Sequence, residues 1–236
     1  MTASKSIQTF FEHFDEFRSR LLKILGVFAA VVLVFFNYAG HFIPLLVKPV
    51  GYLIFNSPSE AFKAHMTVTL VGSFIIALPF TLYQLWAFVG SALTENERKH
   101  VRIYGPLSFA LFVAGLCFAF FAAIPVALKF LMGFASDYLR PMITVDNYIS
   151  FVGSFALAFG VVFEMPLVLA FLAAIGIATP AFLIQKRRHA IIIILIISAI
   201  LTPPDVVSQI VMAVPLLVLY EIGIILTRFT YKRKSD

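Results

Sequence analysis

The chain has 236 residues, 61% of them hydrophobic and only 13% charged, with a mean hydropathy of +0.98. A soluble domain carries about 25% charged residues, so this composition excludes a water-soluble globule and predicts an all-α integral membrane protein, one membrane domain spanning residues 1–236. The net charge of +6 comes without a basic and aromatic constellation outside the apolar segments, which argues against a nucleic-acid partner, and the single cysteine, Cys117, excludes a disulfide framework or a thiolate metal site.

Residues 1–22 carry charges of both signs where a secretory signal would have a basic start and an apolar run, so no cleavable signal is expected. Ile7, Phe10, Phe11, Phe14, Phe17 and Leu21 recur at helical spacing, opposite Glu12, Asp15, Glu16 and Ser19. This pattern predicts an amphipathic helix in the cytoplasmic interface. Its acidic polar face suits a basic partner better than anionic lipid headgroups.

Six apolar segments follow, at about 23–43, 67–89, 104–126, 150–175, 189–202 and 206–227. The connections 44–66 and 127–149 are long, hold Pro44, Pro49, Pro58 and Pro141, and are expected to form ordered caps. Pro79, Pro106, Pro125, Pro166 and Pro215 fall in or at the ends of spans, where each removes a backbone donor and can bend its helix. The fifth segment is bounded by Lys186-Arg187-Arg188 and by the tight turn Thr202-Pro203-Pro204-Asp205. Its fourteen residues reach roughly 21 Å against a hydrocarbon core of about 30 Å, which predicts a thinned bilayer or a concavity there. No internal repeat is evident.

Lys and Arg are distributed fourteen to four between the two sides of this topology. Residues 1–23, the loops 90–103 and 176–189 and the tail from Arg228 hold the fourteen; Lys48, Lys63, Lys129 and Arg140 are the four. The bias places both termini in the cytoplasm.

Two carboxylates fall at membrane depth, Glu164 before Met165-Pro166 and Glu221 after Tyr220. A buried acid costs about 2.5 to 3.5 kcal/mol at the centre of a span, so such residues usually face a cavity or a partner. Glu221 lies seven residues before Arg228 and can alternatively reach the cytoplasmic interface. On the cytoplasmic side, the loop Thr94-Glu95-Asn96-Glu97-Arg98-Lys99-His100 offers carboxylates able to accept a bidentate guanidinium, with Phe88 as an apolar neighbour. No nucleophile elbow, His-Glu-x-x-His or phosphate loop is present, and His13, His41, His65, His100 and His189 are scattered, so the chain is not read as an enzyme and no cofactor is expected.

From about His13 to Arg228 the sequence resembles the TatC family, the multispanning core of the twin-arginine protein translocase. The resemblance is carried by His13-Phe14-Asp15-Glu16-Phe17-Arg18-Ser19-Arg20, Pro49, Ser57-Pro58, Leu82-Tyr83-Gln84-Leu85-Trp86-Ala87-Phe88 and Glu97-Arg98. It continues through Tyr148-Ile149-Ser150-Phe151, Ala158-Phe159-Gly160, Phe163-Glu164-Met165-Pro166, Gly176-Ile177, Thr202-Pro203-Pro204-Asp205, Ser208-Gln209 and Tyr220-Glu221. It implies a concave bundle with short fifth and sixth helices in a bacterial or archaeal cytoplasmic (inner) membrane. The implied function is that of a receptor for folded proteins with Arg-Arg signal peptides, exported at the expense of the protonmotive force. The implied signal contacts are Glu97, Phe88 and Glu16, with Arg18 and Glu95 beside them. The implied partners are the single-span subunits TatA and TatB, docking at Thr202, Gln209 and Leu201, together with membrane lipid and further copies in a receptor complex. Pro49, Pro203, Pro204 and Asp205 are implied structural positions.

Two positions depart from the family pattern. Thr67 replaces a lysine common at the start of the second span, with Lys63 a turn earlier, and Phe120 stands where tyrosine is frequent. A different function, a secondary transporter or proton pathway using Glu164 and Glu221, is the alternative that the intramembrane acids allow.

Overall fold

A computed structural model describes the backbone of residues 2–91, 95–136, 138, 141–202 and 205–235, and side chains at these positions except 2–13, 95–102 and 232–235. Pro203 and Pro204 lie outside the described residues, as do the side chains of Glu95 and Glu97. The described residues form helices and no strand, joined by one parallel bridge between Ile54 and Thr144.

The first helix, α1 (Thr2–Phe36), runs without a break from the amphipathic segment into the first span. Hydropathy alone suggests two elements, but residues 2–36 contain no proline and a single glycine, Gly26, so nothing interrupts the hydrogen-bond ladder. The span ends at Phe36 rather than near residue 43. A turn at Asn37-Tyr38 leads into a separate helix, α2 (Ala39–Val47). Next comes α3 (Pro58–Ser91), to which α1 is tied where His65 Nε2 donates to the Phe36 carbonyl, 3.0 Å.

The third span is compound. It consists of α4 (Glu95–Phe118), a π-helical turn at Ala119–Ala123, and α5 (Ile124–Met132). Pro125 has no amide to give the ladder, and the π turn, with Ile124 N–H on the Ala119 carbonyl, absorbs the extra residue ahead of it. The fourth span is compound as well: α6 (Val145–Val162) and α7 (Met165–Ala174) meet at Phe163-Glu164, just before Pro166. Pro79, Pro106 and Pro215, by contrast, sit inside continuous helices.

After α7 the chain turns at Gly176, whose φ of +85° is a left-handed conformation that suits glycine. Ile177 N–H bonds the Leu172 carbonyl and Gly176 N–H the Ala173 carbonyl, a Schellman cap. Then come α8 (Pro180–Gln185), capped by the Thr179 hydroxyl, α9 (Arg187–Leu201) and α10 (Val206–Ser235). Among the described residues five stretches are long and apolar enough to cross a membrane: Phe14–Phe36, Pro58–Ser91, Ile103–Met132, Val145–Ala174 and Val206–Tyr231. The 15-residue α9 reaches only about 22 Å and falls short of the roughly 30 Å core. Its successor is not short: α10 has 30 residues and continues past residue 227 because the basic tail also favours helix.

The packing runs α1 on α3, α3 on α6 and α4, α4 on α6, and α7 on α10, with α10 also against α9. At the centre, α6 buries Phe151, Phe155, Ala156 and Phe159 on several faces. Small residues permit the closest approaches. A Cβ on Gly115 would lie 2.5 Å from the Phe159 carbonyl oxygen, and one on Gly160 would lie 2.4 Å from the Phe112 ring. Glycine at such points lets backbones approach where lipid supplies no hydrophobic drive of its own. The two expected caps join each other: Ile54 N–H bonds the Ile143 carbonyl at 3.1 Å, Val145 N–H bonds the Ile54 carbonyl at 2.8 Å, and Tyr148 donates its hydroxyl to the Leu46 carbonyl at 2.7 Å. Pro49 lies exposed in the turn after α2, where Gly51 N–H returns to the Val47 carbonyl.

Candidate functional site

The ends of α1 and α3 form a polar and aromatic junction. Glu16 and Arg20 are one helical turn apart and so share a face. Arg20 donates Nε and Nη2 to Glu16 Oε1 at 3.0 and 2.6 Å, and Nη1 to Gln84 Oε1 at 3.0 Å. The ion pair is 23% exposed at Arg20 and 30% at Glu16, sheltered enough for its geometry to persist. Beside it Phe17 packs on Phe88, with ring centroids 5.6 Å apart. Arg18 is exposed and makes no hydrogen bond or ion pair among the described residues.

A second aromatic group steadies the neighbouring helix ends. Trp86 of α3 meets Tyr104 of α4 and Phe171 of α7, each with centroids 5.3 Å apart, and Tyr104 meets Phe171 at 6.1 Å. Glu95 and Glu97 begin α4, about two to two and a half turns before Tyr104. The described contacts bring Glu16 and Phe88 to one α1–α3 junction, through Arg20 and Gln84 and through Phe17. Arg20 and Gln84 belong to the same junction, although hydropathy singled out neither. The signal for Gln84 was present: it is a polar residue, 7% exposed, in an otherwise apolar run.

At membrane depth, Glu164 occupies the break between α6 and α7. Its Oε2 accepts a hydrogen bond from the fully buried Ser108 of α4, and its Oε1 is buried without a hydrogen-bond partner among the described residues. Glu221 has a different setting. Its Oε2 pairs with Arg187 Nη2 at 2.7 Å, both side chains being nearly half exposed, so the basic run that opens α9 neutralises it. The two acids therefore have different hydrogen-bond partners, Ser108 for Glu164 and Arg187 for Glu221.

The α9–α10 hairpin holds the remaining candidates. The Thr202 hydroxyl is buried and donates to the Ser198 carbonyl at 2.8 Å, Gln209 donates Nε2 to the Leu195 carbonyl at 3.0 Å, and Leu201 is half-buried. Asp205 caps α10: its Oδ1 accepts the Ser208 N–H at 2.7 Å. On the outer side of α9, Ile192, Ile196 and Ile200 form an exposed stripe at four-residue spacing. Among the described residues no group of His, Cys, Asp and Glu could hold a metal ion.

Comparison with known proteins places this architecture. The family profile described as Sec-independent protein translocase protein (TatC) matches residues 12–215. The chain is 40% identical over 228 residues to the TatC protein of Carboxydothermus hydrogenoformans, covering 94% of this chain and 93% of that one. It is 35% identical over 223 residues to TatCd of Bacillus subtilis, covering 94% and 92%. A crystal structure of a twin-arginine translocase receptor, TatC, superposes with a TM-score of 0.86 at 38% identity, covering 92% of this chain and 99% of that chain. Built of apolar spans that follow the same path as that receptor, the chain belongs to the TatC family of Sec-independent protein translocase components, integral membrane proteins of protein transport.

Proposed function

We propose that the protein is the signal-peptide receptor of a twin-arginine translocase, binding Arg-Arg signals of folded proteins on the cytoplasmic face. The observation that carries this reading is the α1–α3 junction, where a carboxylate already holding a guanidinium lies beside a Phe17–Phe88 pair, Phe88 standing in the last turn of α3, seven residues in sequence before α4 opens at Glu95. Glu97 and Glu16 would take the two signal arginines, Phe88 would contact the apolar segment that follows them, and Arg18 and Glu95 would tune the local field. Guanidinium geometry gives the specificity, because a lysine ammonium cannot make the bidentate contact.

The fourteen-to-four distribution of basic residues supports a cytoplasmic location for both termini. TatA and TatB would dock along α9 and α10, where Leu201 and Gln209 are partly exposed beside the isoleucine stripe and the buried Thr202, bonded to the Ser198 carbonyl, would shape the turn between them. Further copies would complete a receptor complex with a concave face, and the protonmotive force would drive export.

Site-specific crosslinking from Phe88 and Glu97 to an Arg-Arg signal and to its Lys-Lys counterpart tests the proposal. Both positions are expected to label the Arg-Arg peptide and to lose it with Lys-Lys. Glu97→Ala is expected to abolish labelling from Phe88 while the protein still inserts; undiminished labelling would sink the site assignment. The buried Oε1 of Glu164, without a hydrogen-bond partner among the described residues, favours a second reading, a proton or solute pathway. In that case the reconstituted protein alone would carry saturable flux that disappears in Glu164→Gln.

A further inference from the structure

A cavity of about 270 Å³ lies between α1, α2, α3, α6 and Phe120 of the π turn, and no residue of the signal junction or of α9 lines it. On α3 it runs from Thr67 to Ile76, about 14 Å along the helix. Its inner wall is Val152, Gly153 and Ala156 of α6, small or slender side chains that leave the volume open. Thr67 supplies the one side-chain hydroxyl among residues that are otherwise apolar. Phe42 and Ile76, 43% and 52% exposed, show that the cavity opens to the outer surface of the spans, which is the lipid side.

The lining restricts what can enter. A water needs two to four polar partners, and this wall offers one. A helix with side chains is about 10 to 12 Å across, too wide for the volume, and an extended peptide would bring unpaired backbone amides against apolar walls. An alkyl chain meets both limits. It also restores the dispersion contacts that the lining forfeits when nothing fills the space.

The charge beside the mouth indicates the rest of the ligand. Lys63 precedes Thr67 by four residues on α3, so it stands on the same face one turn, about 5.4 Å, nearer the helix end. It is exposed and makes no ion pair among the described residues, while the nearby Glu60 accepts the Asn56 N–H at 3.1 Å. We infer that the cavity holds one acyl chain of a membrane phospholipid whose phosphate is met at the interface by Lys63.

Photocrosslinking tests this in the full-length protein, reconstituted in nanodiscs of phosphatidylcholine and phosphatidylglycerol with a fraction of the phosphatidylglycerol carrying a diazirine on one chain. Val152 and Ala156 are buried, whereas Ile200 is 76% exposed and reports ordinary lipid contact. Labelling of α6 around Val152–Ala156 is expected to exceed labelling at Ile200 severalfold. Ala156→Leu, which fills the cavity from α6, and Thr67→Phe, which fills it from the half-buried position on α3 facing Gly153, are each expected to reduce the α6 signal to background and leave Ile200 unchanged. Lys63→Gln is expected to lower it by a smaller factor for phosphatidylglycerol. Labelling of α6 no greater than that of Ile200, or unchanged labelling in Thr67→Phe, overturns the chain site. Unchanged labelling in Lys63→Gln overturns the phosphate contact. Displacement of the label by an added Arg-Arg signal peptide would assign the cavity to peptide and overturn the lipid reading.

Discussion

Arg20 supplies Glu16 with a guanidinium before any ligand arrives, and through Gln84 it fastens α1 to α3. Hydrogen bonds to charged groups contribute about 1.5 to 3 kcal/mol, reduced toward 1 where solvent reaches the pair, so Arg20→Ala is expected to lower stability by about 1 kcal/mol. Thermal unfolding in detergent checks this, and Gln84→Leu made in the Arg20→Ala background should add little, since the two share one contact. Additive losses would mean that Gln84 acts elsewhere. Side chains of this kind were only half legible beforehand. Glu16 stands out as an acid on an amphipathic face, but the bond from its partner Arg20 to Gln84 spans sixty-four residues and depends on how α1 crosses α3, which no local pattern encodes. Glu221 was legible in identity and ambiguous in setting. Only the packing of α10 beside the start of α9 shows that Arg187 reaches it.

The elements differ in how strongly local chemistry fixed them. The short α9 was readable because charges and prolines bracket it on both sides. The boundary between α1 and α2 was not, because apolar residues continue through Asn37-Tyr38 and hydropathy sees no edge there. Pro166 announced a bend in the fourth span and Pro125 one in the third, yet Pro79, Pro106 and Pro215 bend nothing enough to end a helix. Proline marks where a ladder can open, and the neighbouring helices decide whether it does. The crossing of α4 on α6 rests on such neighbours. Gly115→Ala would set a methyl 2.5 Å from the Phe159 carbonyl oxygen, a backbone atom that can withdraw only if α6 shifts. Overpacking of this type costs about 1 to 3 kcal/mol, so a lowered unfolding midpoint is expected. Cys117→Ser, two residues away on an exposed position, serves as the control that should leave the midpoint in place.

At the scale of the whole molecule the long and short helices work against each other. Among the described residues five stretches can reach across the bilayer, and α10 exceeds it at about 45 Å, while its hairpin partner α9 stops at about 22 Å. A bilayer that meets α9 must thin or leave its ends unshielded, at fractions of a kcal/mol per Å of mismatch. If the deficit serves transport, restoring the length should abolish transport and spare recognition. Four leucines inserted after Ile197 add about 6 Å and return the following residues to nearly the same face, bringing α9 close to an ordinary span. Export of a folded reporter with an Arg-Arg signal is expected to fall to background in cells, while crosslinking from Phe88 to the signal persists. Exchanging Ile192, Ile196 and Ile200 for leucine changes the exposed stripe without changing its length, and that variant should still export. Export retained by the lengthened helix would show that the short span is a packing accident of the α9–α10 turn rather than part of the passage.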